Sequence, residues 1–160
     1  MQTDDADPNI DVIQLFRRLA GRWRQTRTIT PGGTYAGEAT FVPIDNDRLQ
    51  YAEAGCITLG DGQRLAAHRS YVFALQGARI CVYFDEQPPR VFHWLDFSRT
   101  TARGVLAEAK AHHRCDADDY VSTYTIKSSD AFTVAHRVNG PRKGYVMTTD
   151  YVRIAAAGPR

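Results

Sequence analysis

The sequence predicts an all-β fold: one antiparallel barrel of about eight to ten strands with a single N-terminal α-helix. Three observations carry this. From Trp23 onward, short runs rich in Val, Ile, Thr, Tyr and Phe are broken at regular intervals by turn residues, which marks a sandwich or barrel and not alternating βαβ units. Only one segment, ahead of those runs, repeats its apolar residues at helical spacing. At 160 residues the chain has the length of one domain, enough to bury about two-thirds of its unfolded surface without staples.

Residues 1–9 read as a disordered polar tail and residues 10–156 as one barrel domain. Asn9 or Asp11 can cap the helix, whose apolar face is Val12, Leu15, Phe16 and Leu19; the spacing predicts it to run to about Ala20, with Gly21 as a left-handed stop. Ten strands are predicted after it, over 23–30, 34–42, 48–59, 64–75, 79–85, 91–97, 105–115, 120–127, 132–138 and 144–155. Breaks such as Pro31-Gly32-Gly33, Asp45-Asn46-Asp47, Gly60-Asp61-Gly62 and Asn139-Gly140 are short enough for hairpins. A meander of that many strands exposes two edges unless it closes on itself, and the helix can then plug one end.

Composition narrows the partners. Lys and Arg total 20 against 18 Asp and Glu, with no run of five basic residues, so nucleic acid is not an expected partner. No window approaches 18 consecutive apolar residues, so no membrane-spanning helix is expected. The three cysteines are odd in number and widely spaced, which suits a reducing compartment, and residues 1–9 lack the basic and apolar regions of a secretory signal. The expectation is a cytoplasmic monomer or homodimer.

Strand alternation assigns faces, because residues two apart share a side. One set of faces groups Trp23, Gln25, Arg27 and Ile29; Leu49, Tyr51, Glu53 and Gly55; Leu65, Ala67, Arg69, Tyr71 and Phe73; and Val105, Ala107, Ala109, Ala111, His113 and Cys115. If these point inward, Arg27, Glu53, Arg69 and His113 lie inside, where a charge must be paired or face a filled cavity. Two readings follow: an ion-pair cluster of Glu53 with Arg27 or Arg69 that fixes strand register, or a ligand site. A single β-bulge would turn any one face outward. The candidate ligand-binding residues are Arg27, Glu53, Arg69, Tyr71, His93, His113, Tyr120 and Tyr124, with Arg142 and Lys143 beside the turn at Asn139-Gly140.

The densest polar cluster is His113 to Tyr120. A histidine titrates near neutrality, Asp118 can orient it, and Tyr120 can donate to a developing negative charge, so His113, Asp118 and Tyr120 are the catalytic candidates. The alternatives are a hydrogen-bonded barrel histidine and a plain turn at Asp116 to Asp119. His68, His93, His112, His113 and His136 fall into no zinc or iron spacing, so no cofactor is expected, with metal or haem a secondary alternative. There is no glycine-rich phosphate loop and no nucleophile elbow.

Gly21-Arg22-Trp23 and Tyr151-Val152-Arg153 resemble the Gly-x-Trp and C-terminal Arg signature of the calycin barrels, the lipocalins and their relatives. In such barrels the tryptophan closes the base where first and last strands meet, and the arginine covers its ring. A second resemblance covers nearly the whole chain. It rests on Leu19, Gly21, Trp23 and Arg27; Ala39-Thr40-Phe41; Tyr51, Glu53 and Gly55; Arg69 and Tyr71; Phe92-His93; His113, Cys115, Asp118, Tyr120 and Tyr124; and Val138, Gly140-Pro141-Arg142-Lys143, Tyr145, Tyr151 and Arg153. These are similar to an uncharacterised, mostly bacterial family, a domain of unknown function with catalogue number six-three-one-four. The resemblance implies a calycin-like barrel, distantly similar to lipocalin and nitrobindin-type barrels, and supplies no activity. His136 stands where that family's pattern has an aromatic such as tryptophan, and Gly144 where it has an acid.

Three functions compete at this point. A small-molecule-binding barrel would grip a polar or anionic ligand with Arg27, Arg69, Glu53 and the tyrosines. An enzyme on the same barrel, an isomerase, cyclase or hydrolase, would use His113 with Asp118, Tyr120 or Glu53 for proton transfer. A structural or interaction domain would use the inward polar groups only for register and would carry a large apolar surface patch.

Overall fold

The computed structural model describes residues 10–142 and 144–156. The tail expected over 1–9 and the candidate Lys143 lie outside the described residues. A short helix, α1 (Val12–Arg18), is followed by ten strands: β1 (Gly21–Thr30), β2 (Thr34–Asp45), β3 (Arg48–Thr58), β4 (Arg64–Gln76), β5 (Arg79–Phe84), β6 (Arg90–Leu95), β7 (Ala107–Cys115), β8 (Asp118–Ser128), β9 (Ala131–Asn139) and β10 (Gly144–Arg153). They form one antiparallel sheet in the order β6-β5-β4-β3-β2-β1-β10-β9-β8-β7. First and last strands therefore lie side by side, and the sheet curls until β6 and β7 are in contact, with Ser98, beyond the end of β6, bridged to Glu108 of β7. The barrel is nearly closed.

Two expectations need correction at the helix. It ends at Arg18 and not at Ala20, and Gly21 is not a left-handed stop: its φ of 127° opens β1. The reason is the base of the barrel. Trp23, 2% exposed, donates from Nε1 to the Leu19 carbonyl at 2.9 Å. Arg153, its register partner, stacks over the indole at 4.3 Å and donates from Nη1 to the Ala20 carbonyl at 2.9 Å. The chain leaving the helix is thus held by tertiary contacts, and the Arg153 guanidinium fills the space that a side chain on Gly21 would need. Asp11 caps the helix, accepting from Gln14 N at 3.0 Å. Val12, Phe16 and Leu19 are buried against Trp23, Phe41, Phe132 and Tyr151 in the core that seals this end.

A third correction concerns β7, which begins at Ala107. Val105 and Leu106 belong to the connection from β6, and Leu106 is largely exposed. The inward row Ala107, Ala109 and Ala111 is small and buried, which leaves room for larger side chains opposite. Between β5 and β6 the register slips by one: His93 pairs with Val82, Val91 with Tyr83, and Phe92 is the extra residue. Such a bulge lets adjacent side chains share a face, and both Phe92 and His93 are buried. No helix among the described residues is long and apolar enough to cross a membrane.

Candidate functional site

The upper half of the barrel holds a polar ring built from adjacent strands in register. Arg27 of β1 pairs with Tyr35 of β2 and Thr149 of β10, and Glu53 of β3 pairs with Arg69 of β4. Glu53 is the hub, with its side chain 4% exposed. Its Oε2 accepts from Arg27 Nη2 at 2.8 Å, from Gln25 Nε2 at 2.5 Å and from the Tyr51 hydroxyl at 2.7 Å. Because Tyr51 spends its proton on Glu53, the 2.8 Å contact between the Tyr51 and Tyr151 hydroxyls must be donated by Tyr151. Tyr35 donates to Gln25 Oε1 at 3.0 Å, and Arg27 also donates from Nε to Thr149 Oγ1 at 2.7 Å while stacking over the Tyr35 ring.

Two glycines make this ring possible. Gly37 and Gly55 face each other across β2 and β3, and the Tyr35 ring lies where their side chains would be. Any Cβ there would strike both the ring and a neighbouring carbonyl. Tyr35 can therefore fold back over the strands and reach Gln25.

The arginines differ. Arg27 is 9% exposed and fully engaged, whereas Arg69 is 41% exposed and its Nε stands 3.8 Å from Glu53 Oε1, beyond hydrogen-bonding reach. Burial raises the Glu53 pKa, but the hydrogen bond and charge of Arg27, with the Gln25 and Tyr51 donors, outweigh it and hold the carboxyl below its usual range. Two arginines thus face one ionised carboxylate, and the ring carries one surplus positive charge.

Above the ring a cavity of about 380 Å³ opens at the barrel mouth, and seven of its twelve lining residues carry rings. It shares Arg69, Tyr71 and His136 with a small void of about 20 Å³ below, which reaches Arg27 and Glu53. Phe92 is the pivot of its wall, with ring centroids 5.6 Å from Tyr71, 5.4 Å from His113 and 6.1 Å from His136. His136 is held by Ser122, with Oγ 2.7 Å from Nδ1. His93 Nε2 lies 3.1 Å from the Tyr124 hydroxyl, and His93 Nδ1 is buried without a hydrogen-bond partner. Burial and the Arg69 and Arg27 charges depress His136 to about 4; burial, with His136 and His113 nearby, depresses His93 to about 3. Burial and the Glu53 charge push Tyr35 and Tyr151 up to about 12. These histidines and phenols are neutral at pH 7.

The larger cavity of about 630 Å³ lies at the opposite end, between α1 and the segment joining β6 to β7. Its walls are mostly apolar, with Arg18 and Arg99 among its polar residues. Volume alone does not mark a binding site; convergent polar groups do, and they converge at the mouth.

Of the candidate ligand-binding residues, Arg27, Glu53, Arg69, Tyr71 and Tyr124 line the inner void, Arg69 and Tyr71 also line the mouth, and His113 and Tyr120 join them there. His93 reaches the group through Tyr124. Arg142 is exposed in the turn before β10 and is not among the lining residues. Of the catalytic candidates, His113 and Tyr120 are register partners with rings 6.1 Å apart, while the Asp118 carboxylate packs on Gly140 in the space a side chain there would take. Sequence reasoning missed the roles of Gln25, Thr149 and the Ser122–His136 pair. Gln25 shares the Arg27 face and could have been found by parity; Thr149 required the β1–β10 register. Among the described residues no group of three or more His, Cys, Asp or Glu is placed to hold a metal.

The model of a family of unknown function (DUF6314) matches residues 19–153, and the chain belongs to that family. No curated protein matches it. Among solved structures, the S-type phycobiliprotein lyase CPES from Guillardia theta is similar at a TM-score of 0.61 and 10% identity, covering 98% of this chain and 100% of that one. A protein of unknown function from the DUF3598 family of Nostoc punctiforme is similar at 0.52 and 14%, covering 92% of this chain and 51% of that one. The barrel EF1p2_mFAP2b, bound to DFHBI, is similar at 0.51 and 13%, covering 90% of this chain and 100% of that one. At these identities the likeness is one of fold alone.

Proposed function

We propose that this DUF6314 barrel binds a small anionic molecule in its mouth cavity, with Arg69 as the cation that receives it. The observation that carries the reading is the unequal use of the two inner arginines: Arg27 is consumed by Glu53 and Thr149, whereas Arg69, hydrogen-bonded to Tyr71 but to no acid, stays half-exposed and lines the cavity. A guanidinium held in an aromatic pocket offers several donors in one plane, which suits a carboxylate or a related anion. The DFHBI-bound protein of similar fold supports the view that this architecture accommodates a small ligand. Residues 10–156 act in this reading as one cytoplasmic domain, monomeric or homodimeric, without nucleic-acid or membrane partners.

The test is native mass spectrometry of freshly purified protein, followed by titration of the co-purifying anion into wild type and Arg69→Met. Loss of binding in the variant, at an unchanged melting temperature, supports the proposal; equal affinity refutes it. A second reading, acid–base turnover in the same cavity, is favoured by His113 and Tyr120 facing each other at its rim. Conversion of the bound molecule by wild type, lost in His113→Ala, would support it.

A further inference from the structure

The charge count at the mouth restricts the ligand further. Among the described residues, the other arginine lining the mouth is Arg90, which is exposed and already paired: its Nε donates to Glu86 Oε1 at 2.8 Å and its guanidinium stacks over Phe84 at 4.6 Å. Arg27, one layer below, is spent on Glu53. Among the described residues lining the mouth, Arg69 is therefore the one cation without a hydrogen-bonded acid, and it is the charge offered to the ligand. A dianion brought into this aromatic pocket would leave one of its charges desolvated and unmatched, whereas a monoanion is matched.

The walls choose the rest of the molecule. Phe84 and Phe92 lie 4.8 Å apart, Tyr71 meets Phe92 edge-on at 84°, and His113 tilts against Phe92 at 33°. Rings set at mixed angles offer both faces and edges to another ring, a contact a saturated ring cannot match. The neighbouring His136 adds no charge at neutral pH.

We infer that the site selects a flat-ring monocarboxylate, and that Glu53 is the residue that sets this selectivity by consuming the charge of Arg27. The inference rests on the anion-binding reading above and adds charge number, ring character and a specificity residue. Removing the Glu53 charge frees Arg27, gives the pocket two unmatched cations and turns it toward dianions. Removing Arg27 hands Glu53 to Arg69 and leaves the pocket neutral.

The experiment uses calorimetric titration at pH 8 with four probes: naphthoate, naphthyl phosphate, the saturated decalin carboxylate and uncharged naphthalenemethanol. Wild type should bind naphthoate about tenfold more tightly than the decalin carboxylate and more tightly than naphthyl phosphate. Glu53→Gln should reverse the order of naphthoate and naphthyl phosphate, a relative change of about tenfold or more. Should Glu53→Gln fail to fold, Arg27→Gln tests the same charge count, losing naphthoate while keeping naphthalenemethanol. Equal or better wild-type binding of naphthyl phosphate or the decalin acid, an unchanged order in the variants, or no binding by any probe overturns the inference. Retained naphthoate affinity in Arg69→Met would instead overturn the anion-binding reading beneath it.

Discussion

The two ends of the barrel are built from different chemistry. At the base, Trp23, Phe41, Phe132 and Tyr151 interlock with α1, and Arg153, the cation stacked on Trp23, is satisfied by Asp130 and by the carbonyls of Arg18, Ala20 and Ser129. At the mouth, the polar groups are more numerous, and Arg69 stays half-exposed, with Tyr71 but no acid as its hydrogen-bond partner. An end whose closing tryptophan and arginine are both engaged, beside a mostly apolar cavity, holds the fold together; an end whose ring-lined cavity meets a half-exposed cation is arranged to receive something. Stability and binding should therefore separate by position along the barrel axis.

Variants test that separation in descending order of effect. Trp23→Ala should cost ~3–5 kcal/mol of unfolding free energy, because it leaves a cavity beneath Arg153 in the sealed end; denaturant melts measure it. Glu53→Ala should cost ~3–5 kcal/mol as well, since Arg27 would remain buried without its carboxylate. Its effect crosses the divide, as the hub belongs to the fold and to the site together. Gly37→Ala should cost ~1–3 kcal/mol by driving a methyl into the Tyr35 ring and the Ala54 carbonyl. The same change should weaken anion binding, because Tyr35 supports Arg27 and Gln25.

The pH dependence follows from the depressed groups. In the unfolded chain a histidine takes up its proton as pH falls through its ordinary value of 6.5, whereas His136 and His93 stay neutral in the fold until about 4 and about 3. Their contribution to stability is full above 6.5 and is lost as pH falls below it, with a slope approaching ~1.4 kcal/mol per pH unit for each group. Glu53, also depressed, adds to the loss at lower pH. Thermal melts between pH 7 and pH 4 should fall steeply in wild type and less steeply in His136→Phe.

Much of the fold was legible in the residues. Gly, Pro, Asn and Asp punctuated ten runs, and the observed strands fall on all ten. Their ends shifted by one to three residues, most at β2, which runs to Asp45 and not to Val42, where a hairpin's hydrogen bonds, and not propensity, decide the last pair. Trp23 and Arg153 carried the base because the two are register partners on the first and last strands, where the closure places one over the other. The bulge at Phe92 was not legible, since nothing local distinguishes an extra residue from a regular one. Val105, by contrast, has the composition of a strand and lies in the connection, outside the β7–β8 ladder that starts at Ala107 and Ile126. At the site, parity alone put Arg27, Glu53 and Arg69 on inward faces, but which arginine Glu53 takes depends on tenths of an ångström that no pattern encodes.

The smallest expected change in stability is also the most informative. Arg69→Met removes a half-exposed cation 3.8 Å from its nearest acid, so the melting temperature should stay within the range of a change of about 1 kcal/mol or less. Measured on the same sample, affinity for an aromatic monocarboxylate should fall by at least about tenfold, the loss of one charge-assisted hydrogen-bonded pair. A variant that melts well below wild type yet binds the anion as tightly would show Arg69 to be part of the scaffold, and would contradict the division of the barrel into a sealed end and a receiving one.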